Sequence, residues 1–324
     1  EHGPNRRDER EGDANESHAE EEESQDDEDG SDCAVLDDGH RAGSVAGMGS
    51  DSPSDSRYIG TMSWLDWLIG RTPEASRVTG EPKSGNGASS FHLWWEVPFG
   101  ERLTEVSATL EVVELPEVER LVFWAIQVSF VKPGGGGAHL GLQHHPRFPG
   151  RTAANWGGYA PADEGGLLKG SPSPLPSTPG DPNTRDFAWY PNRPYRLTIE
   201  RSPDPAPAGF FAWRGWIEDL LNGERTVVRD LFSRGEFLRG PVVWTESFAR
   251  CDHPSFAARW SDLLAIGENG QPIPVSTVSV NYQQRSAGGC DNTNVSVDAT
   301  GWTQRTAADR INQSGARLSL PRTL

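Results

Sequence analysis

The side chains best suited to chemistry lie around a ten-residue apolar run. Residues 121–130, LVFWAIQVSF, are followed by a proline, four glycines and a shorter mixed run, HLGLQ. This pattern predicts two adjacent core strands joined by a flexible loop. Gln127 shares one face of the first strand with Phe123, and His139 and Gln143 should lie beside it on the second. We therefore expect a polar cluster near the middle of a sheet.

Two glutamates extend this cluster into a candidate catalytic or binding site. Glu96 and Glu246 each lie in a predicted strand close to a tryptophan, Trp94 or Trp244. A carboxyl group beside an aromatic ring is what a sugar-cleaving site requires, but such a site needs two carboxyl groups about 5 to 10 Å apart. The alternative is that each glutamate marks the solvent face of its strand.

The twelve tryptophans favour carbohydrate binding. Trp94 is out of phase with the apolar residues of its strand, and Trp156 lies beside glycines in a turn-like context. Exposed rings stack on sugars, while amides and carboxylates bind hydroxyl groups. Core packing is the competing explanation for most tryptophans. The predicted glycan-binding face, on the concave side of a sheet, comprises Trp94, Glu96, Gln127, His139, Gln143, Trp156 and Glu246.

Other chemistries are disfavoured. The glycine run lacks a following Lys-Ser or Lys-Thr, so it predicts a strand connection and not a phosphate loop. His139 and His145 would need a third ligand from elsewhere, and we predict no metal site and no cofactor.

Residues 58–324 carry 28 acidic and 25 basic side chains, a net charge of -3, which disfavours nucleic acid as a partner. No stretch is apolar enough to cross a membrane.

Residues 1–61 are predicted to be a disordered acidic tail. The first 57 residues carry 19 acidic and 5 basic side chains, and they hold too few large apolar residues to offset the entropy of ordering. Because Met62 begins a stretch that suits a native N-terminus, the alternative is that this tail is foreign to the native chain. Residues 62–88 are predicted to form a short amphipathic helix, from MSWLDWLIGR, and a linker.

A β-sandwich domain is predicted over residues 89–305. Roughly ten to twelve segments alternate apolar and polar residues, which favours a two-layer antiparallel jelly roll of the concanavalin A-like kind. Asn222-Gly223 and Asn269-Gly270 predict hairpins with type I′ turns. A long Pro- and Gly-rich loop is expected at about 146–194, with a short strand near Trp156, and residues 306–324 are expected to form a C-terminal tail.

The strand sequences resemble a known group of bacterial domains. The succession WWE, FWAIQ, HLGLQ, WGGY, YRLTIE and WTESF is similar to domains of unknown function in the lectin and glucanase superfamily, including domain of unknown function 3472. The resemblance covers about residues 89–300. It implies a jelly roll and glycan contact, and it provides no catalytic residues to carry over. The glucanase signature, two glutamates flanking an aspartate on one strand, is absent, which disfavours a hydrolase of that type.

Two cysteines provide information about the cellular location of the protein. A disulfide between Cys251 and Cys290 would close a 39-residue loop and imply an oxidising environment, so a secreted or cell-surface location is favoured over the cytoplasm. Two buried thiols in a cytosolic protein are the alternative.

Three functions follow from these features. The leading hypothesis is a lectin-like module that binds a glycan and has no catalytic activity. The alternatives are a polysaccharide hydrolase or lyase that uses Glu96 and Glu246, and a non-catalytic protein-interaction module.

Overall fold

The computed structural model describes residues 76–131, 136–161, 163–177 and 181–321. Within these ranges the chain forms strands and two three-residue 3-10 turns, Pro149–Arg151 and Arg285–Ala287, and no α-helix. The predicted acidic tail and the predicted amphipathic helix lie outside the described residues.

Eight antiparallel strands make up the first sheet: β1 (Ser89–Trp95), β3 (Val122–Val131), β4 (Gly137–His144), β5 (Thr152–Tyr159), β6 (Thr184–Asp186), β10 (Phe237–Ser247), β13 (Thr277–Tyr282) and β16 (Arg317–Ser319). Hydrogen bonding places them in the order β16-β13-β1-β10-β3-β4-β5-β6. The candidate polar cluster lies in the four central strands β1, β10, β3 and β4.

The other eight strands make up the second sheet: β2 (Leu103–Glu114), β7 (Tyr195–Arg201), β8 (Phe211–Asp219), β9 (Glu224–Ser233), β11 (Ala257–Gly267), β12 (Pro272–Pro274), β14 (Thr293–Asp298) and β15 (Gly301–Thr306). Their order is β14-β15-β11-β2-β7-β8-β9, and the short β12 pairs with β11. All these pairings are antiparallel as well.

One apolar core lies between the two sheets. Strand β3 shows why, because alternate residues of its apolar run point to opposite faces: Trp124, Ile126 and Val128 enter the core. The ring of Trp124 makes edge contacts with Trp189 and Phe256, at centroid distances of 5.7 and 6.0 Å. Each fully buried side chain of this kind contributes about 1.5–3 kcal/mol relative to an exposed one. The predicted antiparallel β-sandwich is confirmed.

Strand β10 joins the two sheets at one corner. Its Leu238 pairs with Leu103 of the second sheet, and the rest of the strand pairs with β1 and β3 of the first. The pairing with β3 shifts between Arg239 and Val242, where Gly240 has a φ of 55°. Such a bulge bends the strand, which allows one strand to serve both layers.

Several local predictions need correction. Within the predicted loop at 146–194, the predicted short strand near Trp156 is present as the eight-residue β5, and a further short strand, β6, was not predicted. The predicted C-terminal tail includes β16, which pairs with β13. Both Asn-Gly pairs do form hairpins, but the type I′ assignment is wrong, since only Gly223 and Gly270 have positive φ and their asparagines do not.

A disulfide joins Cys251 and Cys290 across 39 residues. It connects the loop after β10 to the loop before β14 and lies beside the first described residues. The backbone N–H of Cys251 donates to the carbonyl of Gly80 at 2.7 Å, and that of Cys290 donates to Ser89 Oγ at 2.9 Å. The disulfide-bearing loops therefore hold residues 80–89, which lead into β1.

Loss of this disulfide should destabilise the fold. We expect the double variant Cys251→Ser/Cys290→Ser to unfold at lower urea concentration, with a free energy of unfolding lower by about 4 kcal/mol, because the open loop gains entropy in the unfolded state. Denaturation followed by tryptophan fluorescence measures this. The variant Cys33→Ser, which leaves the bond intact, is the control, and equal stability of double variant and wild type would contradict the expectation.

Candidate functional site

The strand register collects the polar residues on the outer face of the first sheet, the face turned away from the core. Gln127 on β3 is opposite His139 on β4, and Phe123 is opposite Gln143, so all four side chains share that face. Glu246 on β10 is opposite Phe123 and therefore joins them. His139 therefore lies directly beside Gln127, whereas Gln143 lies on the same face but four residues along β3, opposite Phe123.

Glu246 is a buried carboxyl group on this face. It lies opposite Ser90 on one side and Phe123 on the other, and it is 6% exposed. Burial raises the pKa of Glu246 to about 7, against the opposing effect of a hydrogen bond from Asn86. That bond runs from Asn86 Nδ2 to Glu246 Oε1 at 3.0 Å. A carboxyl group with this pKa can both accept and donate a proton near neutral pH.

Gln143 presents an amide two strands away from Glu246. Its backbone carbonyl accepts a hydrogen bond from Trp189 Nε1 at 3.0 Å, which anchors the strand. Its side-chain Oε1 is buried and has no hydrogen-bond partner among the described residues. Two strand spacings separate the backbones of Gln143 and Glu246, or about 9.5 Å. Rotation of the amide can turn either its oxygen or its NH2 group outward.

Aromatic rings lie between and below these two groups. The Phe123 ring is 4.9 Å from that of Trp244 and 5.5 Å from that of His139, and Trp244 Nε1 donates to Gln127 Oε1 at 3.2 Å. Phe123 and Trp244 belong with Ala125 to an apolar cluster separate from the main core. Burial lowers the pKa of His139 to about 4, so its imidazole is neutral at pH 7.

One row of the outer face has almost no side chains in its middle. Trp244, Ala125, Gly141 and Asn155 lie next to one another across four strands. A Cβ atom on Gly141 would lie 1.9 Å from the carbonyl oxygen of Trp124, so the close approach of β3 and β4 requires glycine there. The row lies next to the row that holds Glu246 and Gln143, and like that row it is buried: Trp244 is 1% exposed and Ala125 is 0% exposed.

The structure separates the two glutamates that the sequence paired. Glu96 lies six residues along β1 from Ser90, the partner of Glu246, which corresponds to about 20 Å. It forms an ion pair with Arg317, and the hydrogen bond from the Arg317 guanidinium to the carboxylate lowers the pKa of Glu96. None of the described residues of β1, β3, β4, β5 and β10 except Glu246 is acidic. The pairing of Glu96 with Glu246 as the two carboxyl groups of a glycosidase is therefore wrong.

The two tryptophans predicted to bind a ligand differ in environment. Trp94 lies on the outer face opposite Val242 and is 41% exposed. Trp156 is fully buried on the opposite face of β5, and a Cβ atom on Gly215 would lie 2.8 Å from its ring. The prediction that Trp156 contacts a ligand is wrong, because glycines around it provide space for its ring in the core and do not mark a turn.

Other candidate sites are limited. The described residues contain no group of three His, Cys, Asp or Glu side chains that could hold a metal ion. No helix among them is long and apolar enough to cross a membrane.

A recess of about 240 Å³ lies on the second sheet beside Arg214, Arg229 and Asp230. Arg214 pairs with Asp230 at 2.9 Å and Arg229 donates to the carbonyl of Trp156, so those charged groups already have partners.

Asn86 is the site residue that sequence reasoning missed. It lies in a Ser-Gly-Asn-Gly stretch whose composition indicates a turn and nothing more. Its partner Glu246 is 160 residues away, so the contact has no local signal.

No protein-family model matches the chain, and no curated protein matches it. Among solved structures, scytalido-glutamic peptidase with a peptide-based transition state analog matches with 13% identity over 68% of this chain and 98% of that chain, at a TM-score of 0.39. SCP-B, a member of the Eqolisin family of peptidases in complex with the tripeptide Ala-Ile-His, matches with 12% identity over 70% and 98%, at a TM-score of 0.36.

The raised pKa of Glu246 predicts a pH-dependent cost in stability. Because the folded state binds this proton more tightly than the unfolded state, stability falls as the pH rises from about 4.5 to about 7. Glu246→Gln should therefore be more stable than wild type at pH 8, by at most about 3 kcal/mol, and equal to it near pH 4. Urea denaturation at pH 4, 6 and 8 tests this. Glu117→Gln, at an exposed position, is the control, and a Glu246→Gln difference that does not change with pH would contradict the assignment.

Proposed function

We propose that the outer face of the first sheet is the active site of a hydrolase that cleaves amide bonds in an extended polypeptide, with Glu246 as general base and acid and Gln143 as the group that polarises the carbonyl. The observation that carries this proposal is the pairing of a buried carboxyl group, whose pKa is about 7, with a buried amide that faces the same way two strands along.

The number of carboxyl groups favours acyl cleavage over glycoside cleavage. Glycoside hydrolysis requires two carboxyl groups about 5–10 Å apart, whereas Glu246 is the only acidic side chain among the described residues of β1, β3, β4, β5 and β10. Hydrolysis of an amide can proceed with one group that carries the proton and one donor for the developing oxyanion. Glu246 and Gln143 provide these two functions.

The reaction uses one proton that moves to Glu246 and back. The carboxylate takes a proton from water as the water oxygen bonds to the carbonyl carbon of the substrate. The amide NH2 of Gln143 donates to the resulting oxyanion. The protonated Glu246 then gives its proton to the amide nitrogen as the C–N bond breaks, which yields a carboxylic acid and an amine and restores the carboxylate. The two backbones are about 9.5 Å apart with the Phe123 ring between the side chains, so water and the substrate carbonyl would bind above that ring.

The proposal predicts loss of cleavage in two variants. With denatured casein as substrate and new termini detected by mass spectrometry, Glu246→Gln should reduce kcat/KM by at least about 10²-fold and Gln143→Ala by about 10²-fold. Because the basic form of Glu246 is required, kcat/KM should fall about tenfold per pH unit below pH about 7. Glu96→Gln, which alters a carboxyl group that is ion-paired with Arg317 away from Glu246, should cleave like wild type. Undiminished cleavage by Glu246→Gln would refute the proposal.

Glycan binding is a second candidate for the same face, and Trp94 favours it. Its ring is exposed, and His92 and Asn281 lie in the neighbouring row of the sheet with polar groups suited to hydroxyls. In this case a polysaccharide would bind without being cleaved.

A glycan array followed by calorimetry tests the second candidate. Trp94→Ala should weaken binding to any glycan found by about tenfold, since it removes the stacking ring. Trp216→Ala is the control, because that ring lies on the second sheet beneath Arg225. Absence of any bound glycan would exclude this candidate.

A further inference from the structure

The side chain of Asn86 has only one orientation that satisfies its contacts. Its Oδ1 accepts hydrogen bonds from Ser84 Oγ at 2.9 Å and from the backbone N–H of Ala88 at 3.1 Å. The backbone N–H of Ala88 can only donate, so the oxygen must face it and the NH2 group must face the other way. On that side Nδ2 donates to Glu246 Oε1 at 3.0 Å. The local turn thereby fixes which end of the amide meets the carboxyl group.

Contacts with the loop that contains Gly288 and Cys290 hold the segment that carries Asn86. The backbone N–H of Lys83 donates to the carbonyl of Gly288 at 3.0 Å, and the Ser89 hydroxyl accepts from the N–H of Cys290 at 2.9 Å. Gly288 has a φ of 94°, and a Cβ atom there would lie 2.0 Å from the backbone nitrogen of Ser84. Two loop segments that meet this closely leave little freedom for residues 83–89.

We propose that Asn86 is a positioning residue that holds the Glu246 carboxyl group in the orientation in which it faces substrate on the outer face. This inference rests on the proposed hydrolase function, and it adds a residue that neither sequence pattern nor strand register supplies. Asn86 does not touch the reacting atoms in this account. It acts by fixing one oxygen of the carboxyl group, which sets the plane of that group relative to Gln143.

The hydrogen bond also affects the protonation of Glu246. A donor NH2 group favours the ionised carboxylate and so opposes the effect of burial on the pKa. The titratable groups on the neighbouring elements are His92 on β1, His139 and His144 on β4, and Glu81 and Lys83 in the Asn86 segment; of the histidines, His92 and His139 share the outer face with Glu246. Burial lowers the pKa of these two histidines to about 4, so neither changes charge near pH 7. Removal of the donor should therefore shift the titration of Glu246 upward.

Two variants test the role of Asn86. Asn86→Ala removes the amide, and Asn86→Asp keeps an oxygen for Ser84 and Ala88 while it replaces the donor toward Glu246 by an acceptor. In both, the pKa of Glu246 should rise by about one unit or more, and kcat at pH 7 should fall about tenfold with KM changed less than about twofold. Asn312→Ala, which removes a donor to the carbonyl of Val295, is the matched control and should leave the pKa and kcat unchanged.

Direct titration separates this inference from the proposed function. NMR of the full chain labelled with 13C-glutamate, with the Glu246 signal assigned through Glu246→Gln, reports the pKa whether or not the chain cleaves peptides. A raised pKa in Asn86→Asp without any wild-type cleavage would support the contact and refute the hydrolase. An unchanged pKa and unchanged kcat in Asn86→Asp, with a native circular dichroism spectrum, would overturn the role of Asn86. If Asn86→Ala does not fold, the Asn86→Asp result decides alone.

Discussion

The antiparallel register of β10, β3 and β4 is the constraint on which the rest of the site depends. It places Glu246, Phe123 and Gln143 in one row and turns all three away from the core. A slip of one residue in β3 would move Trp124 out of the core and turn polar residues inward. The apolar side chains that fill the sandwich therefore also fix the polar row, so core packing and site geometry have one origin.

Glu246 and Glu96 show how environment gives two carboxyl groups different chemistry. Glu96 lies at the end of β1 and bonds to Arg317, which lowers its pKa and keeps it ionised. Glu246 lies near the end of β10, between β1 and β3, where burial opposes ionisation. A group that is costly to ionise weakens the fold above its unfolded pKa, so this position is unfavourable for stability alone. Such a cost is typical of functional positions.

The sequence predicts those features that depend on local pattern. Period two in residues 121–130 predicts both faces of β3, and the hairpin with β4 follows because the two strands are adjacent in the chain. The pairing of β10 with β3 has no such signal, since it joins residues more than a hundred positions apart. The prediction for Trp156 is wrong for a related reason: the space for its ring comes from Gly215, on a strand that the sequence does not place beside it.

The disulfide, which lies just after the end of β10, stabilises both the fold and the candidate site. Cys290 anchors Ser89 at the start of β1, and Cys251 anchors Gly80 a few residues earlier. Asn86 lies between these two anchored points and reaches Glu246 from there. Because a hydrogen bond with a fixed donor loses less entropy than one with a mobile donor, the covalent link supports the orientation of a carboxyl group that it does not touch.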